Sequence, residues 1–383
     1  MSPDPDPVAV LTDRLARLAE LAGTSGADVV LITPGPDLAY FVGHSIGSHE
    51  RLTCLVVPAN GGPSLLVPTL ERPGWTGSTV ERMEVSIGTW TDGQDPYAAL
   101  ADLLPADARV LSVDYHMPAV HALNAQAIVP GAELTLAGET IAQLRMRKSS
   151  DEVTALAAAG AAIDRVQGRI AEWLRPGRTE NEVAADIAAA IVDEGHERPD
   201  FVIVGSGPNG ASPHHEASDR VIRAGDVVVI DIGGPMPSGY FSDCTRTYVV
   251  AGDAVPDRVR EVYEVVRAAQ AAGVAAVRPG VSAESIDAAS RSVIEDAGFG
   301  EYFITRTGHG IGLEVHEHPY LVAGNSITLE AGMAFSVEPG IYLPGEFGVR
   351  IEDIVVVADS GALLMNRSPT ELLVIGSGST TAG

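Results

Sequence analysis

Residues 175–195 read RPGRTENEVAADIAAAIVDEG, and residues 278–298 read RPGVSAESIDAASRSVIEDAG. Both open on Arg-Pro-Gly and close on a glycine, and the offset is 103 residues at either end. Apolar Val183 and Ile191 fall on Ile286 and Ile294, and both stretches follow a helical pattern. The match continues downstream at an offset of 107. Ala224-Gly225 opens an apolar strand ending on Asp231, and Ala331-Gly332 opens one ending on Glu338. Each half then adds a second β-run headed by an acid: Asp243 before residues 245–250, and Glu352 before residues 354–357. Four landmarks recurring in one order point to a duplicated α+β half-domain with a pseudo-two-fold axis.

The repeat places two carboxylates in each half at equivalent points. An acid at the end of a buried-type run such as residues 227–230 is costly to bury unpaired. Four acids converging on one axis would repel. Bound cations invert that cost, and a pair of metals needs bridging carboxylates. Five of the ten histidines, His214, His215, His309, His316 and His318, lie in the same half of the chain. His309 sits between glycines in Thr307-Gly308-His309-Gly310-Ile311-Gly312, where the backbone is free to approach closely. Hard carboxylate sites with one imidazole suit Mn²⁺, Co²⁺, Fe²⁺ or Zn²⁺ better than copper.

Composition narrows the alternatives. The 383 residues carry 25 Lys and Arg against 51 Asp and Glu, a formal charge of −26. Such a chain is poorly suited to nucleic acid or to an anionic membrane, and no apolar run reaches the length of a membrane span. The two cysteines, Cys54 and Cys244, make no disulfide framework. The opening Met1-Ser2-Pro3-Asp4-Pro5-Asp6-Pro7 lacks a secretory pattern, so the expected compartment is the cytoplasm.

In order and context, Asp231, Asp243, His309, Glu338 and Glu352 resemble the five metal ligands of the pita-bread metallopeptidases (family M24). That family includes methionine aminopeptidase, aminopeptidase P, prolidase and creatinase. The strings carrying the resemblance are Ser242-Asp243-Cys244-Thr245-Arg246-Thr247, Gly308-His309-Gly310-Ile311-Gly312, His316-Glu317-His318-Pro319, Val337-Glu338-Pro339-Gly340 and Val349-Arg350-Ile351-Glu352-Asp353. The first part of the chain, with Tyr40-Phe41-Val42-Gly43, resembles the creatinase-type domain of aminopeptidase P and prolidase. The resemblance implies an α/β creatinase-like N-terminal domain (1–147) and an α+β pita-bread catalytic domain (148–375); the Gly-, Ser- and Thr-rich residues 376–383 read by composition as a flexible tail. The resemblance also implies two divalent metal ions, first of all Mn²⁺, a short proline-containing peptide as substrate, and a homodimer.

The roles it implies are specific. Asp231 chelates one metal, His309 the other, and Asp243 and Glu352 bridge both. Glu338 binds metal and handles the proton of the attacking hydroxide. His214 and His316 stand on the substrate side, and Arg350, two residues before Glu352 on one strand face, orients the carboxylates. The expected reaction is metal-dependent hydrolysis of the Xaa-Pro bond in dipeptides or short peptides. The alternatives are an aminopeptidase P on longer peptides or a creatinase-like non-peptide hydrolase.

Two features depart from the family. Asp231 and Asp243 stand 12 apart, one more than expected, with the extra residue assigned to a loop at 233–239. Tyr320 stands where several prolidases have an arginine that grips the substrate carboxylate, which leaves room for longer peptides. A third feature is a decoy. Gly205-Ser206-Gly207-Pro208-Asn209-Gly210 imitates a dinucleotide fingerprint, but Pro208 and Pro213 oppose the helix that must follow; a turn delivering His214 fits better. Cys244, alternating with Asp243, is expected in the core.

Locally, a helix is expected over residues 8–21, strands over 29–32 and 110–113, and a hairpin joining 52–57 to 64–67 around Asn60-Gly61-Gly62. Ser149 and Glu152 form a capping box opening a helix that runs to Leu174. His44, His49, His116 and His121 are expected to be structural or solvated.

Overall fold

The computed structural model describes residues 6–44, 47, 50–252 and 254–376. His49 and residues 377–383 of the expected tail lie outside them. The chain forms two compact units, Met1–Arg145 and Met146–Gly383.

The first unit is built on a six-stranded mixed sheet in the order Ser86–Trp90, Ser64–Pro68, Cys54–Pro58, Val29–Ile32, Val110–Val113, Glu133–Leu136. Val29–Ile32 is wholly apolar and buried, as a central strand covered on both faces must be. The expected hairpin forms with Leu55 opposite Leu65, and Gly61 turns the chain at φ 128°. Helix Pro7–Ser25 buries Leu11, Leu15, Leu18 and Ala22 on one face, capped by the Asp6 carboxylate. The histidines here behave structurally: His44 packs edge-on against Trp75, and His121 Nδ1 bonds Tyr97 Oη at 2.9 Å. Asp37, Asp114 and His116 do gather, but Arg145 pairs with Asp37 at 2.6 Å and Thr33 donates twice to Asp114.

The second unit opens as expected. Ser149 Oγ accepts from Glu152 N, and Glu152 returns the bond to Ser149 N. The helix Ser150–Gln167 is shorter than the expected run to Leu174. Gly168 ends it, a residue with little helical preference, and a 3₁₀ turn, Ile170–Glu172, follows.

The repeat is visible in the backbone. Helices Glu180–Asp193 and Ala283–Asp296 have the same length. Gly177 N donates to Ile222 O in one half and Gly280 N to Leu329 O in the other. The glycines Gly177 and Gly280, like Gly225 and Gly332, share left-handed φ values of 85–90°. Strand Val227–Pro235 pairs antiparallel with Phe241–Val250, and Ala334–Val337 pairs antiparallel with Asp353–Ala358. The first pair lies in a four-stranded sheet, Leu373–Ile375, Phe241–Val250, Val227–Pro235, Phe201–Ser206. The second lies in a five-stranded one, Glu317–Leu321, Gly308–Gly310, Ala334–Val337, Asp353–Ala358, Gly361–Leu364. Apolar packing fixes each helix on its sheet: Val183, Ile187 and Ile191 meet Val228, Ile230 and Ile232. Cys244 is fully buried in that same cluster, as its alternation with Asp243 requires.

Candidate metal centre

Asp231 sits in the middle of its strand rather than at the end. The strand runs on to Pro235 because Gly233 and Gly234 lie where a Cβ would meet the Ser242 and Arg198 carbonyls. Residues 233–235 are therefore strand, and the turn is confined to 236–239, with Gly239 at φ 83°. In register, Asp231 faces Thr245 and Gly233 faces Asp243. Asp231 and Asp243 are thus diagonal neighbours on one face of the sheet.

His309 comes from the short strand Gly308–Gly310. Its Nδ1 lies 3.1 Å from the Gly310 carbonyl, which leaves Nε2 for the acids. Nε2 is 3.1 Å from Glu338 Oε1 and 3.7 Å from Asp243 Oδ2. Glu338 directly follows the strand Ala334–Val337, where its N donates to Thr307 O and Ser336 Oγ donates to its Oε1 at 2.9 Å. The same Ser336 Oγ accepts from His309 N.

Glu352 occupies the break between strands Phe347–Arg350 and Asp353–Ala358, which belong to different sheets. Arg350 and Glu352 are therefore not two positions on one strand. Arg350 reaches the acids otherwise: Nη2 donates to Asp231 Oδ2 at 2.6 Å, and Nε donates to Thr245 Oγ1, which itself donates to Glu352 Oε2 at 2.7 Å. Its Nη1 donates to Tyr342 Oη and to the Pro213 carbonyl.

All five expected ligands, with His214, His316 and Arg350, line one cavity of about 650 Å³, a size suited to a small ligand. Asp243, His309 and Glu352 each offer a donor atom within 4.8 Å of the others. Asp231 Oδ1, Asp243 Oδ1 and Glu352 Oε1 are buried without a hydrogen-bond partner among the described residues. Buried polar atoms are rarely left so. Burial, then the Glu352 and Asp231 charges, push the Asp243 carboxyl well above its usual range; burial and the Glu338 and Asp231 charges do the same to Glu352. Glu338 goes the other way: burial opposes ionisation, but the bond and charge from His309 hold it low. A donor set of crowded acids, free oxygens and one aimed imidazole fits divalent cations.

His316 stacks edge-on against His309, ring centroids 4.2 Å apart. Its surface opens onto the cavity, yet desolvation by the surrounding wall and the nearby His309 and Arg306 bring its pKa down to about 4. Its neighbour Glu317 turns inward to a buried pair with Lys148 at 3.2 Å. His214 lines the cavity too, whereas His215 turns away to Glu180 at 2.8 Å. Gly205–Gly210 is no nucleotide loop: strand Phe201–Ser206 runs into a 3₁₀ turn, Gly207–Ala211, and Gly205 packs on Gly210.

Sequence reasoning passed over Glu180, which is wholly buried. It accepts from Ser206 N and Oγ, Asn209 Nδ2, and Ser218 N and Oγ, besides His215. The repeat held a signal for it, because the equivalent residue of the second half is Ala283. Thr245, Ser336 and Tyr342 were also missed; each acts through a single hydroxyl that leaves no pattern in sequence.

Comparison with known proteins gives matches along nearly the whole chain. Residues 154–359 match metallopeptidase family M24, and residues 14–147 match the creatinase/prolidase N-terminal domain. The chain is 49% identical over 369 residues to the probable dipeptidase PepE of Mycobacterium tuberculosis, covering 96% of this chain and 97% of that protein. It is 35% identical over 377 residues to the Xaa-Pro dipeptidase of Lactobacillus helveticus, covering 94% and 98%. The crystal structure of dipeptidase PepE from Mycobacterium ulcerans superposes with a TM-score of 0.91 at 52% identity, covering 97% of this chain and 99% of that one. Matched by the creatinase/prolidase N-terminal domain and then by the family model over more than half its length, the chain belongs to metallopeptidase family M24.

Proposed function

We propose that this chain hydrolyses the Xaa-Pro bond of dipeptides and short peptides with two divalent cations. Asp231, Asp243, His309, Glu338 and Glu352 hold them. The observation that carries the reading is the set of three buried carboxylate oxygens, on Asp231, Asp243 and Glu352, without a partner among the described residues, two of these acids gathered with His309. When bound, the cations polarise the scissile carbonyl and lower the pKa of the attacking water.

The chain's own residues do the rest. Glu338 Oε accepts the proton of the water and passes it toward the departing proline nitrogen. Ser336 Oγ fixes that carboxylate by donating to Oε1. Neutral His316 offers an N–H donor to the oxyanion from the cavity wall, and His214 lines the same wall. Arg350 steadies Asp231, and Thr245 steadies Glu352, so neither carboxylate need reorient.

Similarity to named Xaa-Pro dipeptidases supports the substrate. Mn²⁺ is the proposed metal, with Co²⁺, Zn²⁺ or Fe²⁺ as substitutes, in a cytoplasmic homodimer. Among the described residues no helix is long and apolar enough to cross a membrane. The test is release of the N-terminal residue from Ala-Pro, Leu-Pro and Ala-Pro-Pro after loading with Mn²⁺ or Co²⁺. No release from any of the three overturns the reading.

A further inference from the structure

We propose that Arg306 binds the free C-terminal carboxylate of the substrate and makes the enzyme selective for dipeptides. The inference rests on the Xaa-Pro reading above and names the residue that sets peptide length.

The cavity wall is acidic: Asp200, Asp231, Asp243, Glu338 and Glu352 all contribute to it. Two guanidiniums line it as well. Arg350 is 3% exposed, and its donors are engaged by Asp231, Thr245, Tyr342 and the Pro213 carbonyl. Arg306 is different. It is half-buried and has no hydrogen bond or ion pair to any described residue. In a chain with twice as many acids as bases, most arginines find a carboxylate; this one is held away from them.

What holds it is an aromatic face. The guanidinium carbon lies 4.5 Å from the centroid of the Tyr320 ring. Stacking fixes the plane of a guanidinium but leaves its N–H edges free. Those edges form a fork matched to a carboxylate. His318 packs on the other partner of the stack, its ring centroid 5.0 Å from that of Tyr320, so the platform is itself supported. Tyr320 brings no charge of its own; it positions one from three residues upstream of His309.

A dipeptide is a zwitterion with its carboxylate one residue past the scissile bond. The acids hold the cations at one part of the cavity, and Arg306 offers the only cation with free donors among its described lining residues. A longer peptide would place a neutral amide where the carboxylate belongs. A guanidinium facing an amide loses the charge-assisted pair.

The experiment compares Leu-Pro with Leu-Pro-amide on the Mn²⁺-loaded full chain, wild type against Arg306→Met and Arg306→Lys. Wild type should have the lower KM for Leu-Pro. Arg306→Met should raise KM for Leu-Pro about 10- to 100-fold, the worth of a charged hydrogen-bonded pair. KM for the amide should stay within about twofold, kcat should change little, and Arg306→Lys should recover part of the loss. Equal losses on both substrates, or none on Leu-Pro, would overturn the inference while leaving the Xaa-Pro activity standing. Wild-type enzyme that cleaves neither substrate would overturn the activity, and this inference with it.

Discussion

Arg350 Nη2 donates to Asp231 Oδ2 at 2.6 Å, and the other oxygen of that carboxylate is buried with no partner among the described residues. The guanidinium neutralises the acid without covering it. It fixes one oxygen and so aims the second into the cavity. Thr245 treats Glu352 the same way, donating to Oε2 while Oε1 stays free. Because Arg350 Nε also donates to Thr245 Oγ1, one side chain sets both carboxylates across two sheets.

Removing that side chain should cost stability as well as affinity. Arg350→Met leaves Asp231 as a buried charge without its partner, and breaking such a pair costs about 3–5 kcal/mol. The urea midpoint of the metal-free protein reports it. Arg350→Lys keeps a charge but not the fork that reaches Asp231, Thr245 and Tyr342 together. Its Mn²⁺ affinity, measured by competition with a chelator, should fall about 10- to 100-fold. Unchanged affinity would mean that Arg350 supports the fold alone.

Metal binding should release protons. Without a cation, Asp243 and Glu352 have their pKa values raised by burial and by the neighbouring carboxylates. A raised acid keeps its proton to higher pH, and a cation ligand must lose it. Mn²⁺ affinity should therefore climb as pH rises toward and through those raised values, then level off. Calorimetric titration in two buffers of different ionisation enthalpy measures the protons directly. Binding that releases none at about pH 6–7 contradicts the assignment of these two acids as ligands.

Glu338→Gln keeps the shape of the side chain and an oxygen to accept from Ser336 Oγ. What it removes is the base and one negative charge of the proposed ligand set, so kcat is read at saturating Mn²⁺. A positioned acid–base group is worth about 10²- to 10⁴-fold in rate, so kcat on Leu-Pro should drop by at least that lower figure. Circular dichroism should match wild type closely. A variant that folds and still turns over at the wild-type rate assigns the proton to another group.

Which of these residues were legible beforehand follows from how each is specified. Asp243, Glu338 and Glu352 recur through the repeat and His309 sits in a short glycine-flanked string, so local pattern together with the family resemblance exposed them. The capping box at Ser149 and the strand at Val29–Ile32 are likewise local. The errors came where a tertiary contact decides. The strand carries Asp231 onward to Pro235 because two glycines admit neighbouring carbonyls, and no periodicity records that. Arg350 looked like a strand neighbour of Glu352, but the chain changes sheets between them. Arg306 is defined by an aromatic ring 14 residues away in sequence, visible only once Gly308–Gly310 pairs with Glu317–Leu321.

Glu180 joins the loop bearing His214 to the helix Glu180–Asp193 through bonds that span 26 to 38 residues. Burial alone would raise its pKa, yet the donors from Ser206, Ser218 and His215 outweigh this and lower it. A depressed carboxyl stabilises the fold above the unfolded value, near 4.5, and that contribution disappears as pH falls through the folded value. Glu180→Gln replaces an all-acceptor group with one that must donate on one side, against hydroxyls and amides already aimed at it. Leaving such buried donors unsatisfied costs about 1–3 kcal/mol. The thermal midpoint should fall at pH 7, and the gap from wild type should close as pH drops below that unfolded value. Because His214 rides on the same loop, kcat on Leu-Pro should fall as well, while Mn²⁺ affinity holds, since none of the five proposed ligands touches Glu180. A variant losing metal affinity in step with kcat would place Glu180 in the support of the metal centre instead of the His214 loop.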